Sequence, residues 1–488
     1  MLEREYDVVK GQSYLALWLL VSAFSLGLFA LWSKEAYIVP VFMGIGYMGV
    51  VVAFRHSIIS SRDLFNPLCV VLVISFIRYS SPAFLLMAGV EPPPGISEFY
   101  RLMGLSESDW LWAHVLTLTS IAGIALGWFL VRGQPSEPVQ LGFSFAPGVG
   151  HAAVLGMLVG VAALVVFIGV NASLGAILTG AIRSTTIQVG TGKYFYLIYM
   201  MIAGSILLSA YLLAKNKRRV ALIPVVLCGL FLLPLGGRGR AITPLLAALL
   251  LQWYRQREQK AWPRFRLRIA HVFVLVASFI FAMWLFHFGA MYRGGHGIGA
   301  LAESLSLQGN WEHVKSSVFG EFGQLHSLAG AIAIGPGVLE GKTFFASLSW
   351  PLSEVLPIPG RSAGIFIVET LVGFPQNKWG LHASLIGDAY LNFGLFGIML
   401  IMPIFGMLSK LLYTKFRKGR LNPAIYVFAA VYGINLYLKS IDTWPYTLTG
   451  LVFIWVIIRV ADFLNFSQRG LTGAHAARVG GFHSVRNR

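Results

Sequence analysis

A pair of arginines set in a glycine turn is the first feature of this sequence that could do chemistry. Gly236-Gly237-Arg238-Gly239-Arg240 stands just ahead of an apolar helical run that opens Ala241-Ile242-Thr243-Pro244. A helix N-terminus presents unpaired N–H groups, and proline suits its first turn. Two guanidinium groups beside such an end make a cradle for a diphosphate. The residues admit a second reading, in which the arginines snorkel to lipid headgroups beside a flexible turn. Arg293, in Tyr292-Arg293-Gly294-Gly295-His296-Gly297, and Arg183, in Ala181-Ile182-Arg183-Ser184, are further cations between apolar runs. Each alone is either an interface anchor or a ligand contact, and together with the pair they argue for a polyanionic ligand. Arg361, in Pro357-Ile358-Pro359-Gly360-Arg361, is a fourth such position or the partner of Glu354.

Carboxylates and histidines supply the means of handling protons. Asp388 and Asn392 are four residues apart, so they share one helix face, with Tyr390 nearby. An acid at the entrance of an otherwise apolar run is expensive and marks a candidate functional site. The competing reading is a dipole partner at a helix N-terminus, worth under about 1 kcal/mol. His382 and Glu369 precede that run and either titrate a substrate hydroxyl or are simply solvated. Arg78 lies inside an apolar run, where it must be paired or face a cavity.

These residues have to be placed by elements, and composition says what kind. Of 488 residues, 56% are hydrophobic and 12% charged, about half the charge of a soluble domain. Windows of about 19 residues place spans near 13–33, 36–54, 66–88, 111–131, 149–170, 193–214, 220–236, 241–254, 269–289, 384–413, 423–438 and 446–463. The expected fold is an all-α polytopic membrane protein of about twelve transmembrane helices, one integral membrane domain over residues 1–488. Continuous apolar runs exclude the alternating strands of a membrane β-barrel. The first span lacks a small-residue cleavage pattern and reads as an anchor that is not removed. Cys69 and Cys228 both sit in apolar runs, so neither a disulfide framework nor a cysteine metal site is expected.

The net charge of +18 would suit nucleic acid, but the location of the charges argues otherwise. With both termini cytoplasmic, about two thirds of the 38 Lys and Arg fall in inner segments such as 215–219, 255–268 and 410–420. Residues 464–488 then form a basic cytoplasmic tail. The segment 290–383, between the ninth and tenth spans, becomes a large outer loop with amphipathic runs at 300–305 and 311–319. Loops of that length are usually functional. Arg238, Arg240, Arg293, Arg183 and Arg361 all fall on the outer side, where the positive-inside bias makes them unexpected.

Absent motifs narrow the chemistry. There is no D-x-D pair, no G-x-x-x-x-G-K-[ST] loop and no H-E-x-x-H. The G-x-S-x-G string at Gly360–Gly364 follows a proline-rich loop rather than closing a strand-to-helix elbow, and it is read as chance. ATP-driven transport, metalloprotease chemistry and serine hydrolysis are disfavoured, and neither a metal nor a cofactor is expected. Outside the cytoplasm there is no nucleotide supply, so a transferase there needs a lipid-linked donor already activated by diphosphate.

At this point the sequence resembles a known family. Arg183, the basic turn Lys215–Arg219, Gly237-Arg238-Gly239, Arg293, the run Leu352-Ser353-Glu354-Val355-Leu356-Pro357-Ile358-Pro359 and the block Ser384–Gly394 follow the order seen in Wzy-type oligosaccharide repeat-unit (O-antigen) polymerases. Gly387-Asp388-Ala389-Tyr390-Leu391-Asn392-Phe393-Gly394 is similar to that family's Glu-x-Tyr-x-Asn-Phe-Gly signature, with Asp388 at the Glu position. The resemblance covers roughly residues 150–410. It implies a GT-C-like glycosyltransferase in a bacterial cytoplasmic membrane, acting at the periplasmic face on undecaprenyl-diphosphate-linked oligosaccharides and usually assisted by a separate chain-length regulator. A departing diphosphate develops charge that arginine donors must stabilise in a metal-free site; Arg238, Arg240, Arg293 and Arg183 are the candidates. Asp388, His382 and Glu369, in that order, are the candidates to activate the acceptor hydroxyl. An O-antigen ligase would use the same donor. A transporter or flippase would be expected to show similar halves and midplane charges, of which only Arg78 is evident.

Overall fold

Every regular element described in the computed structural model is helical. The structure describes residues 2–33, 38–61, 63, 65–80, 90–91, 97, 101–131, 143–171, 192–232, 238–259, 315, 324–349, 362–373 and 382–483. In chain order the helices are α1 (Leu2–Ser33), α2 (Ile38–Ser61), α3 (Pro67–Ser75), α4 (Glu107–Leu130), α5 (Gly148–Asn171), α6 (Gly192–Ala214), α7 (Ile223–Leu232) and α8 (Arg238–Gln259). They continue with α9 (Leu325–Ile334), α10 (Lys342–Leu348), α11 (Ala363–Val372), α12 (Ser384–Arg417), α13 (Pro423–Lys439) and α14 (Trp444–His483). A π-helical turn, Phe76–Ser80, extends α3, and a 3-10 turn, Ile441–Thr443, joins α13 to α14.

Local chemistry sets several of these boundaries. Asn66 accepts a hydrogen bond from the Cys69 amide and is followed by Pro67 at the first helical position of α3. Ser106 and Asp109 close a reciprocal capping box on α4. Asn422 and Pro423 repeat the cap-then-proline device on α13.

Six helices carry stretches long and apolar enough to cross a membrane: Val41–Ile58, Glu107–Leu130, Gly148–Val170, Tyr196–Ala214, Ser384–Arg417 and Trp444–Leu464. Shorter apolar stretches include Tyr14–Ala30, Pro67–Ser80 and Val220–Leu232, all on predicted spans. The predicted span 269–289 lies outside the described residues. The chain is therefore a helical membrane-embedded protein, with large apolar side chains such as Trp18, Leu155 and Phe396 exposed along its outer helix faces, where lipid rather than water is the solvent.

Two sets of helices meet along α12 and α13. Helices α1, α2, α4 and α9 gather on one side and α5, α6, α7, α8 and α14 on the other. Helix α4 is the centre of the first set, 83% buried along its apolar length. It touches α12 backbone to backbone: a Cβ on Gly127 would strike the Pro403 carbonyl, and one on Gly406 the Ile124 carbonyl. With no hydrophobic force between helices in lipid, close approach at small residues supplies the packing.

Several boundaries differ from those read in the sequence. Helix α8 begins at Arg238, three residues before Ala241, so Pro244 lies inside the helix and not in its first turn. Proline there has no N–H to give to the Arg240 carbonyl. Helix α14 continues to His483, well past the predicted end of the last span at residue 463. In segment 290–383 the described helices are α9, α10 and α11; the amphipathic runs 300–305 and 311–319 fall almost wholly outside the described residues. Helix α9 is buried against α4 and α12, with Leu325, His326, Ser327 and Leu328 all enclosed, so this part of the segment belongs to the bundle.

Candidate functional site

The block that carries the family resemblance folds as a broken helix. Residues 384–393 form three turns, and then Gly394 takes φ 62° and ψ −148°, a conformation essentially confined to glycine. The amides beyond it leave helical register. The Leu391 carbonyl, whose helical donor lies past the break, accepts the Leu339 amide at 2.8 Å, and the Tyr390 carbonyl accepts the Gly337 amide at 3.0 Å. These two donors come from the strap 335–349, which runs from the end of α9 through α10 and turns tightly at its start because Gly335, Gly337 and Gly341 hold positive φ.

Asp388 sits at the middle of this arrangement with no exposed surface. Its Oδ1 accepts Thr343 Oγ1 at 2.5 Å and Asn392 Nδ2 at 2.9 Å. Its Oδ2 accepts Ser440 Oγ at 2.6 Å and the Ile441 amide at 3.1 Å. Asn392 also donates to Thr343 Oγ1 at 2.6 Å and accepts the Thr343 amide at 3.3 Å. Asp388 and Asn392 therefore share a helix face, as their spacing requires. Thr343 and Ser440 complete the group, and nothing in their own sequence context marks them: each is a single hydroxyl residue in a different segment.

The same end of the bundle holds Arg78 and the start of α8. Arg78 is half-buried in the π turn after α3, and its carbonyl accepts the Gln324 amide at 3.0 Å. The neighbouring Tyr79 donates to Gln324 Oε1 at 3.1 Å. Ser75 and Tyr437, on α3 and α13, share a hydrogen bond of 2.8 Å. On the other flank of α13, Asn435 reaches Thr243 of α8 at 3.5 Å. The opening turn of α8, with Arg238 and Arg240 in it, thus lies at the end of α13 from which Ser440 reaches Asp388. His382 is exposed just ahead of α12, and Glu369 is half-buried on α11, its carbonyl accepting the Gly373 amide at 3.2 Å. Tyr390 is half-buried on another face of α12. Arg183, Arg293 and Arg361 lie outside the described residues.

A second polar cluster, at the opposite end of α12, was not anticipated as a site. Asp63, fully buried, accepts Tyr413 Oη at 3.0 Å and the Phe65 amide at 3.0 Å. Arg417 donates to Tyr413 Oη at 2.9 Å and to the Ser61 carbonyl at 3.2 Å. Arg257 lies 4.3 Å from the Trp253 ring and Lys410 4.6 Å from that of Trp128. The sequence assigns all three cations to inner segments, and folding buries them. The one mark of the cluster in the sequence is Asp63, a lone acid between two apolar runs.

The fold defines a class, a helical membrane protein whose helix α12 is broken at Gly394 and locked there to the segment between α9 and α10. Set against family models, curated proteins and solved structures, the chain matches none of them.

Proposed function

We propose that the chain is a glycosyltransferase that polymerises undecaprenyl-diphosphate-linked oligosaccharide repeat units at the periplasmic face of a bacterial cytoplasmic membrane, with both termini cytoplasmic. A hydroxyl at the nonreducing end of one lipid-linked unit attacks the anomeric carbon of the growing chain. The bond from that carbon to the diphosphate oxygen breaks, the hydroxyl proton leaves with a base or water, and undecaprenyl diphosphate departs. The observation that supports this reading best is that the arginine pair opens α8 at the same bundle end as the Asp388 block, linked to it through Thr243, Asn435 and Ser440. A helix N-terminus with two guanidinium-bearing residues in its first turn suits a leaving diphosphate. Arg293, Arg183 and Arg361 would add donors from the loops, Arg78 would stand behind them, and His382 and Glu369 would be the accessible proton acceptors. A separate chain-length regulator would be the protein partner.

A second reading has one observation in its favour. Discontinuous helices line substrate sites in transporters, and α12 is broken at Gly394, so a flippase for lipid-linked sugars is the alternative. An O-antigen ligase, which shares the donor, differs from the polymerase in its acceptor. The deciding experiment is polymerisation of a synthetic undecaprenyl-diphosphate repeat unit by the purified chain beside Arg238→Ala and Arg293→Ala. A product ladder from wild type, lost in folded arginine variants, supports the polymerase. Donor binding without a ladder moves the flippase and ligase ahead.

A further inference from the structure

We infer that the block Asp388–Gly394 is a socket that seats the strap 335–349 on the bundle, with Thr343 and Ser440 as positioning residues and Asp388 as their shared acceptor instead of the reaction's base. The inference deepens the glycosyltransferase reading and rests on it for its kinetic arm. A carboxylate offers about four acceptor positions, and Thr343, Asn392, Ser440 and the Ile441 amide each donate to this one. Those donors come from α10, from α12 itself and from the turn before α14, so one side chain ties three segments that are far apart in sequence. A base must reach the substrate hydroxyl to about 3 Å or through one water, and Asp388 is fully enclosed.

The backbone supports the same assignment independently of the carboxylate. The break at Gly394 frees helix carbonyls for use by another segment, and the strap supplies Gly337 and Leu339 amides to two adjacent ones. Asn392 then binds both the amide and the hydroxyl of Thr343. The strap is thereby fixed at two points about one helical turn apart, while its outer face carries Phe345 and Leu348 exposed and an ion pair between Lys342 and Glu340 at 3.2 Å. Ser440 holds the turn beside Lys439 in the same way. Displacements of about 1 Å at such supports cost a transferase heavily, because orientation supplies much of its rate.

The test uses the full-length chain in nanodiscs as wild type, Thr343→Val, Ser440→Ala, Asp388→Asn and Asp388→Glu, each checked for a monodisperse folded peak. Two quantities are read: kcat and KM for a synthetic undecaprenyl-diphosphate repeat unit across pH, and the rate of thermolysin cleavage within residues 335–349. The socket predicts that Thr343→Val and Ser440→Ala each lower kcat about tenfold, the equivalent of one charge-assisted hydrogen bond, with KM and the pH limbs unmoved. Cleavage of the strap rises in both, Asp388→Asn exaggerates both effects, and Asp388→Glu recovers part of the rate. Wild-type kcat and cleavage in the two hydroxyl variants, with loss of the acidic limb in the residual activity of Asp388→Asn, would overturn the inference and make Asp388 the base. If wild type makes no polymer, the transferase reading alone fails. The cleavage arm then decides the socket, since unchanged strap cleavage in the variants sinks it.

Discussion

Single side chains in this protein act through what encloses them. His326 lies in α9, outside the membrane-length helices, and burial lowers its imidazole from 6.5 to about 4. The folded state thus binds its proton less readily than the unfolded chain. The contribution to stability is complete above about pH 6.5 and is lost as pH falls through the interval down to 4. Thermal unfolding in detergent at pH 5 against pH 7 should show a loss of about 2 kcal/mol from this group, and His326→Gln should remove most of that difference. Asp63 is a buried carboxyl group that accepts hydrogen bonds from the Tyr413 hydroxyl and the Phe65 amide. Asp63→Asn removes the carboxylate that shares Tyr413 Oη with Arg417 and acts on Arg257, and a cost of about 2 kcal/mol in thermal stability is expected. A melting temperature equal to wild type would show the cluster to be dispensable.

At the scale of elements, the broken α12 is the informative case. The sequence placed Asp388 and Asn392 on one helix face and drew the span as continuous over 384–413, because an apolar run holding Gly387, Gly394, Gly397 and Gly406 gives no sign of which of them leaves helical dihedrals. Gly394 could be read as part of a signature but not as a break, since the donors that make the break tolerable, Gly337 and Leu339, lie more than fifty residues upstream. Gly394→Ala should cost about 1–3 kcal/mol through its dihedrals and loosen the strap, read as a lower melting temperature with faster cleavage in 335–349. Gly127→Leu tests the packing of α4 on α12. A side chain there meets the Pro403 carbonyl, and the expected result is a variant that fails to give a monodisperse peak, whereas Gly104→Leu, with open space around its Cβ, is the wrong comparison because its φ is 63°. Gly44→Leu, helical and with nothing nearby, is the matched control and should behave as wild type.

For the whole molecule, the testable quantity is topology. The native thiols Cys69 and Cys228 are buried, so an introduced cysteine reports alone. Lys342→Cys, on the exposed side of the strap, should react with a membrane-impermeant maleimide in intact cells, and Lys418→Cys should react after the membrane is opened. The reverse pattern would invert the proposed orientation and move the arginine pair of α8 to the cytoplasmic side. The sequence by itself determined the solvent of this protein, because apolar runs of membrane length can satisfy their backbone in lipid only as helices. It also determined that Asp388 faces the same way as Asn392, a consequence of helical period. Tertiary structure alone decided what those residues touch. Thr343, Ser440 and the strap amides are brought to Asp388 across gaps of tens of residues, and no local pattern encodes a hydrogen bond whose partners are set by how helices pack.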